Sequence, residues 1–384
     1  MNIDSRSARS ALFVVSKGLL LSLVLFSLVL FAVASASAQR SFVPAAQRHA
    51  SDEHLQFYPS TARKLSDGRL ALRVEAWVYE RETRPGLRSI FARYLNIDRD
   101  ALSEQDRARY DERTQLFRFD SERGKDIRIV GDDGASHALP RTRSDGRSSA
   151  EVILSAAPPR DSVWLSFRGA LLGGKHREGL SDVSGRALWV PDAGLSLVSD
   201  IDDTIKDSNV LIRRELLLNT FVRPFAAVDG MAARYRNFAQ AQPELRLHYV
   251  SGSPHQLYPA LANFLDAAQF PPGSLHLRDV DFRSELFGKH GGTRKHKLAI
   301  IRRLIADFPN RRFVLIGDSG EQDPEIYATL AREHPECVLA IWIRDVTGQT
   351  RDHPRYGKTF AGIPPERWHV FVDSGEIVLP DAAQ

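Results

Sequence analysis

The second half of the chain alternates between short apolar segments and segments with helical periodicity. The apolar segments are residues 195–198, 245–250, 312–316, 338–343 and 369–372. Amphipathic helical patterns lie between most of them. Such alternation is typical of strand–helix–strand units that build a parallel sheet. We therefore predict an α/β fold with a doubly wound parallel sheet over residues 194–384.

The first half has a different rhythm. Residues 70–79 alternate between apolar and polar side chains with a period of two, which indicates a half-buried strand. Further short β-type segments recur between residues 55 and 190, and residues 87–95 and 103–113 read as helices. We predict a β-sandwich-like domain with a helical insertion over residues 39–193. No constellation of chemical groups stands out in it.

The N-terminus has the pattern of a secretory signal. Basic residues precede an apolar stretch over residues 18–34, and Ala36-Ser37-Ala38 follows as a small-x-small cleavage pattern. We predict a signal peptide over residues 1–38 and an exported protein, periplasmic or secreted. The apolar stretch is long for a signal, so an uncleaved N-terminal membrane anchor is the alternative.

Cysteine content and charge exclude several function classes. Cys337 is the only cysteine, so neither an intrachain disulfide nor a thiolate zinc site can form. The formal net charge of +4 at pH 7 includes three basic residues and one acid before the predicted cut. A nearly balanced remainder does not favour nucleic acid as a partner.

The first apolar segment of the second half ends in a cluster of acids. Asp200, Asp202 and Asp203 fall within four residues, and Thr204 follows them. Such carboxylates repel one another unless they share a cation. Ligands of open α/β sheets bind outside the carboxyl ends of the strands. The cluster therefore indicates metal-assisted phosphoryl transfer, with Asp200 as nucleophile and Asp202 as acid/base. A solvated acidic turn is an equally good interpretation of these residues alone.

Two further strand ends carry groups suited to phosphate or metal. Ser251 follows one apolar segment and offers a hydroxyl, although a helix cap would explain it as well. Asp318 follows another, and Asp323 lies one loop later. Mg²⁺ prefers carboxylate oxygens, water and substrate phosphate as ligands. We expect these acids to meet at one edge of the sheet.

A cation is needed to balance a transferred phosphoryl group. Lys295 and Lys297 both lie near the start of an amphipathic helix. At about 100° per residue, Lys297 falls on the apolar stripe and Lys295 points away from it. We therefore select Lys297, with a surface lysine as the alternative.

Together these segments resemble the haloacid dehalogenase superfamily of aspartate-nucleophile phosphatases. The resemblance rests on Asp-x-Asp-x-Thr, a strand with Ser, a helix with Lys, and Gly-Asp with a second Asp, in that order. A closer resemblance is to the actin-patch-associated phosphatidate phosphatase family over about residues 195–345. The segments that carry it are residues 200–206, 219–221, 251–254, 256–259, 276–279 and 317–323.

The resemblance implies a Rossmann-like fold and Mg²⁺-dependent removal of phosphate from phosphatidate, which gives diacylglycerol. It implies that the metal is held by the carboxylates of Asp200 and Asp318 and by the Asp202 backbone carbonyl, with Asp323 binding directly or through water.

In the same family pattern, Thr204, Ser251 and Lys297 contact the phosphate. From the resemblance we expect an aromatic Trp in relatives where this chain has His255, a departure that affects the rim of the substrate site. The short stretch between Thr204 and the next strand leaves room for a small cap only, which suits a phospholipid headgroup at a membrane surface.

Three functions remain open. The first is a phosphatidate phosphatase, the second a broad-specificity periplasmic phosphomonoesterase acting on soluble phosphates. The third is a non-catalytic β-sandwich binding protein with a degenerate hydrolase domain. The intact acids at positions 200, 202, 318 and 323 argue against the third. The sequence does not separate the first two.

Overall fold

The computed structural model describes residues 53–83, 93–159, 162–172, 183–280 and 292–380. All of them fall in one compact unit. The predicted signal peptide and most of the predicted helix at 87–95 lie outside these ranges. Among the described helices, none has the length and apolar character needed to cross a bilayer.

The first half contributes nine strands among the described residues, with one long helix between the third and fourth. The strands are β1 Glu53–Tyr58, β2 Ser60–Lys64, β3 Leu70–Thr83, β4 Phe119–Ser121, β5 Asp126–Val130, β6 Ser136–Ala138, β7 Arg147–Leu154, β8 Trp164–Leu172 and β9 Val183–Trp189. The helix α1 is Glu104–Gln115, where Ser103 caps the N-terminus through its hydroxyl.

These nine strands form one hydrogen-bonded network, the β-rich sheet. The 14-residue strand β3 pairs with β1, β2, β4 and β7, so it connects strands that a sandwich would divide between two sheets. The β-rich character of residues 53–189 is thus present, while the predicted sandwich arrangement is not confirmed. Side chains such as Leu70, Val74 and Ile129 form its buried core.

The second half builds a six-stranded parallel sheet. Its strands are β10 Leu195–Ser199, β11 Arg246–Pro254, β12 Gly273–Arg278, β13 Arg312–Asp318, β14 Val338–Arg344 and β15 Trp368–Phe371. The order across the sheet is β12-β11-β10-β13-β14-β15, and every neighbouring pair is parallel. The prediction of an α/β fold with a parallel sheet is confirmed.

Strand β12 is absent from the predicted strands. In its segment Ser274 and His276 alternate with Leu275 and Leu277, and all four side chains are buried. The polar pair is satisfied internally, because Ser274 Oγ lies 2.9 Å from His276 Nε2 and 2.7 Å from His248 Nδ1. Because these polar residues have hydrogen-bond partners inside the protein, they can be buried in a strand. They interrupt the apolar segment in the sequence, so the strand could not be recognised from hydrophobicity.

The helices of the second half connect or flank these strands. They are α2 Arg213–Phe221, α3 Met231–Ala241, α4 Tyr258–Ala267, α5 Gly292–Asp307, α6 Asp323–Glu333 and α7 Pro354–Thr359. Helices α2 and α3 occupy the connection between β10 and β11, where the sequence predicted a small cap.

The strand order reverses between β10 and β13. Leu195–Ser199 pairs with β11 on one side and with β13 on the other. The pairing extends past the strand end, since Asp200 N–H donates to the Ile316 carbonyl at 2.9 Å. In open α/β sheets the crevice at such a reversal, outside the carboxyl ends of the strands, is where ligands bind.

The β-rich sheet and the parallel sheet share a buried aromatic contact. Tyr58 and Trp77 of the β-rich sheet contact Tyr258 and His255 at ring-centroid distances of 5.2 and 5.0 Å. All four side chains are buried in the structure. This contact lies just after strand β11, so the β-rich sheet supports one wall of the crevice.

Candidate active site

Asp200 lies at the centre of the crevice. Strand β10 delivers it directly, and its side chain is 1% exposed. Oδ1 lies 2.8 Å from the ammonium of Lys297, and Oδ2 accepts a hydrogen bond from the Thr204 hydroxyl at 3.3 Å. Both carboxylate oxygens are therefore oriented by buried donors.

The three acids of the 200–203 cluster diverge. Asp203 adopts a left-handed backbone conformation with φ of 53°, which is uncommon for a residue other than glycine. Its carboxylate accepts N–H hydrogen bonds from Ser208, Asn209 and Val210 at 2.7, 2.8 and 2.6 Å. Asp203 thus fixes the loop after the acid cluster and does not point to the other two acids.

Asp202 turns toward a second buried cation. Its Oδ1 lies 2.8 Å from the ammonium of Lys206 and 2.7 Å from the Ser208 hydroxyl. Its Oδ2 accepts from Ser253 Oγ at 2.7 Å and from Ser251 Oγ at 3.3 Å. Burial alone would raise the pKa of Asp202, but Lys206 and the hydroxyls outweigh it and lower the pKa to about 2.

Three other carboxylates converge on one point. Oxygen atoms of Asp200, Asp318 and Asp323 lie within 4.8 Å of one another, and all three residues are buried. Gly317 makes this approach possible, because a Cβ there would lie 2.3 Å from Asp323 Oδ2. Strand β13 and the first residue of α6 thereby place two acids beside the end of β10.

Lys297 provides the positive charge of this cluster. Its ammonium lies 2.6 Å from Asp323 Oδ1, 2.8 Å from Asp200 Oδ1 and 3.3 Å from Glu321 Oε2. The side chain is fully buried on the inward face of α5, whereas Lys295 is exposed. Burial lowers the pKa of Lys297, and the surrounding acids raise it well above its ordinary value.

The acids fit a divalent cation. Oδ1 of Asp318 accepts hydrogen bonds from Gly320 and Glu321 N–H groups at 2.7 and 3.1 Å, while the buried Oδ2 has no hydrogen-bond partner among the described residues. Burial raises the pKa of Asp318 and of Asp200 well above the ordinary range, and Lys297 offsets only part of that rise. An unpartnered carboxylate oxygen among buried acids suits a hard cation.

The structure divides the predicted site residues between two linked networks. Asp200, Thr204, Lys297 and Asp323 belong to one, and Asp318 joins it through its carboxylate. Ser251 belongs to the other, since its hydroxyl donates to Asp202. The Asp202 side chain lies outside the three-acid cluster, which leaves its backbone carbonyl as the group for a metal there.

Sequence reasoning missed the partners of Asp202. Lys206 is 1% exposed and packs beneath the loop, with its ammonium 4.9 Å from the Phe225 ring centroid. Ser208 and Ser253 complete the set of donors. Lys206 lies four residues after Asp202, but the two residues flank a turn, not a helix, so their spacing alone did not mark them as partners.

His255 occupies the position where the family resemblance predicts an aromatic residue. Its imidazole is 3% exposed and contacts Tyr58 and Trp77 edge-on, at centroid distances of 5.9 and 5.0 Å. Burial lowers the pKa of His255 to about 3. The neutral ring therefore packs as an aromatic side chain would, at the wall of the crevice.

Comparisons with known proteins cover the segment that holds this site. A family model described as "Phosphatidate phosphatase APP1, catalytic domain" matches residues 195–345. Phosphatidate phosphatase APP1 of Saccharomyces cerevisiae is 34% identical over 175 residues, which cover 44% of this chain and 29% of the yeast protein. An uncharacterized protein of Schizosaccharomyces pombe is 36% identical over 157 residues, covering 40% of this chain and 25% of that protein.

The chain therefore spans less than a third of the length of these two relatives. A solved structure of a carbohydrate esterase is 12% identical to this chain. The match covers 75% of this chain and 87% of the esterase chain. Its TM-score of 0.22 is too low to support an argument about fold. The matched segment begins with β10 and ends after β14, so it contains every residue of the candidate site. Residues 195–345 are therefore similar to the catalytic domain of the phosphatidate phosphatase APP1 family.

Proposed function

We propose that this protein is a Mg²⁺-dependent phosphoric monoester hydrolase of the haloacid dehalogenase type, with Asp200 as nucleophile. One observation carries the proposal: three buried carboxylates and a buried lysine meet where the order of the parallel sheet reverses. Buried charges of this density are costly unless they serve a ligand, and perturbed acids in a crevice mark functional sites.

In the proposed reaction, an Asp200 carboxylate oxygen attacks phosphorus. A bond forms between that oxygen and phosphorus, and the bond from phosphorus to the leaving oxygen breaks. Water then hydrolyses the aspartyl-phosphate and regenerates the carboxylate, which splits one displacement into two easier ones. Lys297 and Thr204 already orient Asp200. Together with Ser251 they would donate hydrogen bonds to the phosphoryl oxygens, and Lys297 would also neutralise part of the phosphoryl charge.

Asp202 acts as the general acid and general base. It gives a proton to the leaving alkoxide and later accepts one from the attacking water. With a pKa of about 2, the free protein carries Asp202 as a carboxylate. The first proton must therefore arrive with the substrate, and a phosphate monoester whose second pKa is about 6 can bring one.

The metal we propose is Mg²⁺. Asp200 and Asp318 would hold it through their carboxylates and Asp202 through its backbone carbonyl, with Asp323 binding directly or through water. When bound, the cation neutralises negative charge on the phosphoryl group. Asp318 Oδ2, which no described residue contacts by a hydrogen bond, is the protein atom best placed to be a ligand.

The substrate we propose is phosphatidate, which would yield diacylglycerol and phosphate. The name of the yeast relative supports this class, as does the small connection that holds α2 and α3. A small cap leaves the crevice open to a headgroup at a membrane surface. We also propose that a signal peptide directs the protein to export. We further propose a sandwich-like arrangement for the β-rich region.

The deciding experiment is a substrate panel on the purified protein with Mg²⁺. We expect phosphate release from phosphatidate or lysophosphatidate in mixed micelles, abolished by chelation and by Asp200→Asn. Soluble sugar phosphates and nucleotides should have lower kcat/KM, because little protein encloses their remote parts. A clear preference for a soluble phosphate would replace the lipid phosphatase with a phosphomonoesterase that uses the same residues.

A further inference from the structure

Two exposed apolar side chains lie side by side near the crevice. Leu211 is 53% exposed and Ile212 is 54% exposed. Among the described residues the other large hydrophobic side chains this exposed are Val372 and Val378, which lie after the last strand. An adjacent pair of exposed large aliphatic side chains leaves apolar surface in water that a partner can cover.

The segment that carries this pair is fixed to the site. Asp203 accepts the N–H groups of Asn209 and Val210 and so holds the chain immediately before Leu211. Val210 lies against the loop that follows Asp318, since its Cγ2 is 2.7 Å from where a Cβ of Gly320 would be. The exposed pair therefore stands at the rim of the crevice on a firmly attached loop.

Two arginines follow the pair directly. Residues 211–214, which we call the rim segment, read Leu-Ile-Arg-Arg, and the Arg214 side chain is 81% exposed. Arg213 stacks over the Tyr94 ring at 5.0 Å. Ile212 begins the first turn of α2, where its carbonyl accepts the Leu216 N–H at 2.9 Å. Exposed aliphatic side chains beside exposed guanidinium groups match the chemistry of an anionic lipid interface.

We propose that the rim segment docks on an anionic phospholipid surface, with Leu211 and Ile212 inserted among the acyl chains and Arg213 and Arg214 at the headgroups. The inference deepens the proposed function and rests on it, because docking at the rim would present membrane-borne phosphate esters to Asp200. A protein surface is the competing occupant, but two arginines beside two aliphatic residues favour the lipid.

A fluorescent probe at the rim tests insertion directly. Cys337 is the only native cysteine and is buried, so Ile212→Cys gives a single accessible thiol for an environment-sensitive dye. Val378→Cys, at a position 62% exposed, is the matched control. On vesicles of phosphatidylcholine with phosphatidylserine, the label at 212 should brighten about twofold and shift to the blue, and the label at 378 should not.

Phosphatidylcholine vesicles alone should give little change at either position, since the arginines then have no anionic partner. Arg213→Gln/Arg214→Gln in the 212-labelled protein should weaken vesicle affinity by at least about fivefold. An unchanged spectrum at 212, or an equal change at 378, would overturn the proposal. Because the local probe reports only its own surroundings, any contribution of residues 1–38 to vesicle binding does not confuse the result.

Activity separates this inference from the proposed function. Leu211→Ser/Ile212→Ser should lower turnover of phosphatidate in anionic vesicles about tenfold and leave turnover of p-nitrophenyl phosphate unchanged. Equal losses on both substrates would overturn the docking role. Absence of any phosphatase activity in the unaltered protein would instead overturn the proposed function, while the probe at position 212 would still test docking.

Discussion

The ammonium of Lys297 lies 2.8 Å from Asp200 Oδ1 and 2.6 Å from Asp323 Oδ1, and all three side chains are buried. One helix thus supplies the positive charge that lets an acid after β10 and an acid at the start of α6 approach each other. The same ammonium lowers the pKa of Asp200, but burial and then the charge of Asp323 keep that pKa well above its ordinary value. The remaining negative charge is what a divalent cation would neutralise.

Replacing Asp200 with Asn should abolish turnover without unfolding the protein. The amide keeps the side-chain shape and an oxygen for the Thr204 hydroxyl, but it is a poor nucleophile. We expect kcat to fall by at least about 10³-fold, because no other group at the strand end can form the covalent intermediate. Phosphate release and a melting curve measured on the same sample check both parts. Turnover equal to that of the unaltered protein would exclude Asp200 as the nucleophile.

Lys297→Ala should reduce stability and activity strongly, and Lys295→Ala should change them little. Removing Lys297 leaves buried acids without their partner, which we expect to destabilise the metal-free protein by about 3–5 kcal/mol and to cripple activity. Lys295 is exposed on the same helix, so its removal should change stability by less than about 0.5 kcal/mol. The free energy of unfolding in urea and the rate of phosphate release are measured for both variants. A larger loss for Lys295→Ala than for Lys297→Ala would contradict the assigned roles.

Lys206→Met should impair the handling of the leaving group. Without the ammonium, Asp202 loses the partner that orients it, and a misplaced acid/base group can cost about 10²-fold in rate. Alkyl phosphates need the proton more than aryl phosphates do, so we expect the larger loss on the alkyl substrate. The ratio of kcat values for the two substrates is the measurement. Lys358→Met, at an exposed lysine, is the control and should leave the ratio unchanged.

Asp318→Asn should change stability in opposite directions with and without Mg²⁺. In chelator, loss of a buried carboxylate whose pKa burial and Asp323 raise should increase the melting temperature. In excess Mg²⁺ the unaltered protein should gain about 2.7 kcal/mol at 100 times its dissociation constant, and the variant should gain far less. Thermal melts of both proteins in chelator and in Mg²⁺ show whether the order of their melting temperatures reverses. Equal stabilisation of both proteins by Mg²⁺ would remove Asp318 from the metal site.

Asp279 should make the contact between the two halves sensitive to pH. Partial desolvation, followed by a hydrogen bond with Asp145, raises the pKa of Asp279 to about 6, although 43% of its side chain is exposed. A carboxyl group with a raised folded-state pKa contributes stability that is full below its unfolded pKa of about 3.9 and is lost as pH rises through about 6.

Asp279→Asn keeps a hydrogen-bonding side chain and cannot titrate. The melting temperature of the variant minus that of the unaltered protein should therefore increase between about pH 5 and pH 7.5. Asp352→Asn, at an exposed acid in a surface turn, should show a flat difference over the same range. A flat difference for Asp279→Asn as well would mean that this carboxyl group does not titrate there.

The amino-acid sequence by itself determined the alternation of strands and helices and the acids that end two of the strands. Apolar segments followed by Asp200 and by Asp318 are local patterns, and parallel strands bring their carboxyl ends to one edge of a sheet. The choice of Lys297 over Lys295 also followed from local information, because helical periodicity decides which side of one helix is buried.

Only the tertiary structure decided where neighbouring acids point and which strands are adjacent. Asp202 and Asp203 are adjacent in sequence, yet one contacts Lys206 and the other binds backbone N–H groups, because a left-handed turn at Asp203 redirects the chain. Strand β12 and the single β-rich network depend on pairing between distant segments. Periodicity along a chain reports how deeply a residue is buried, whereas the identity of its neighbours depends on sheet order and loop geometry, which are set by contacts distant in sequence.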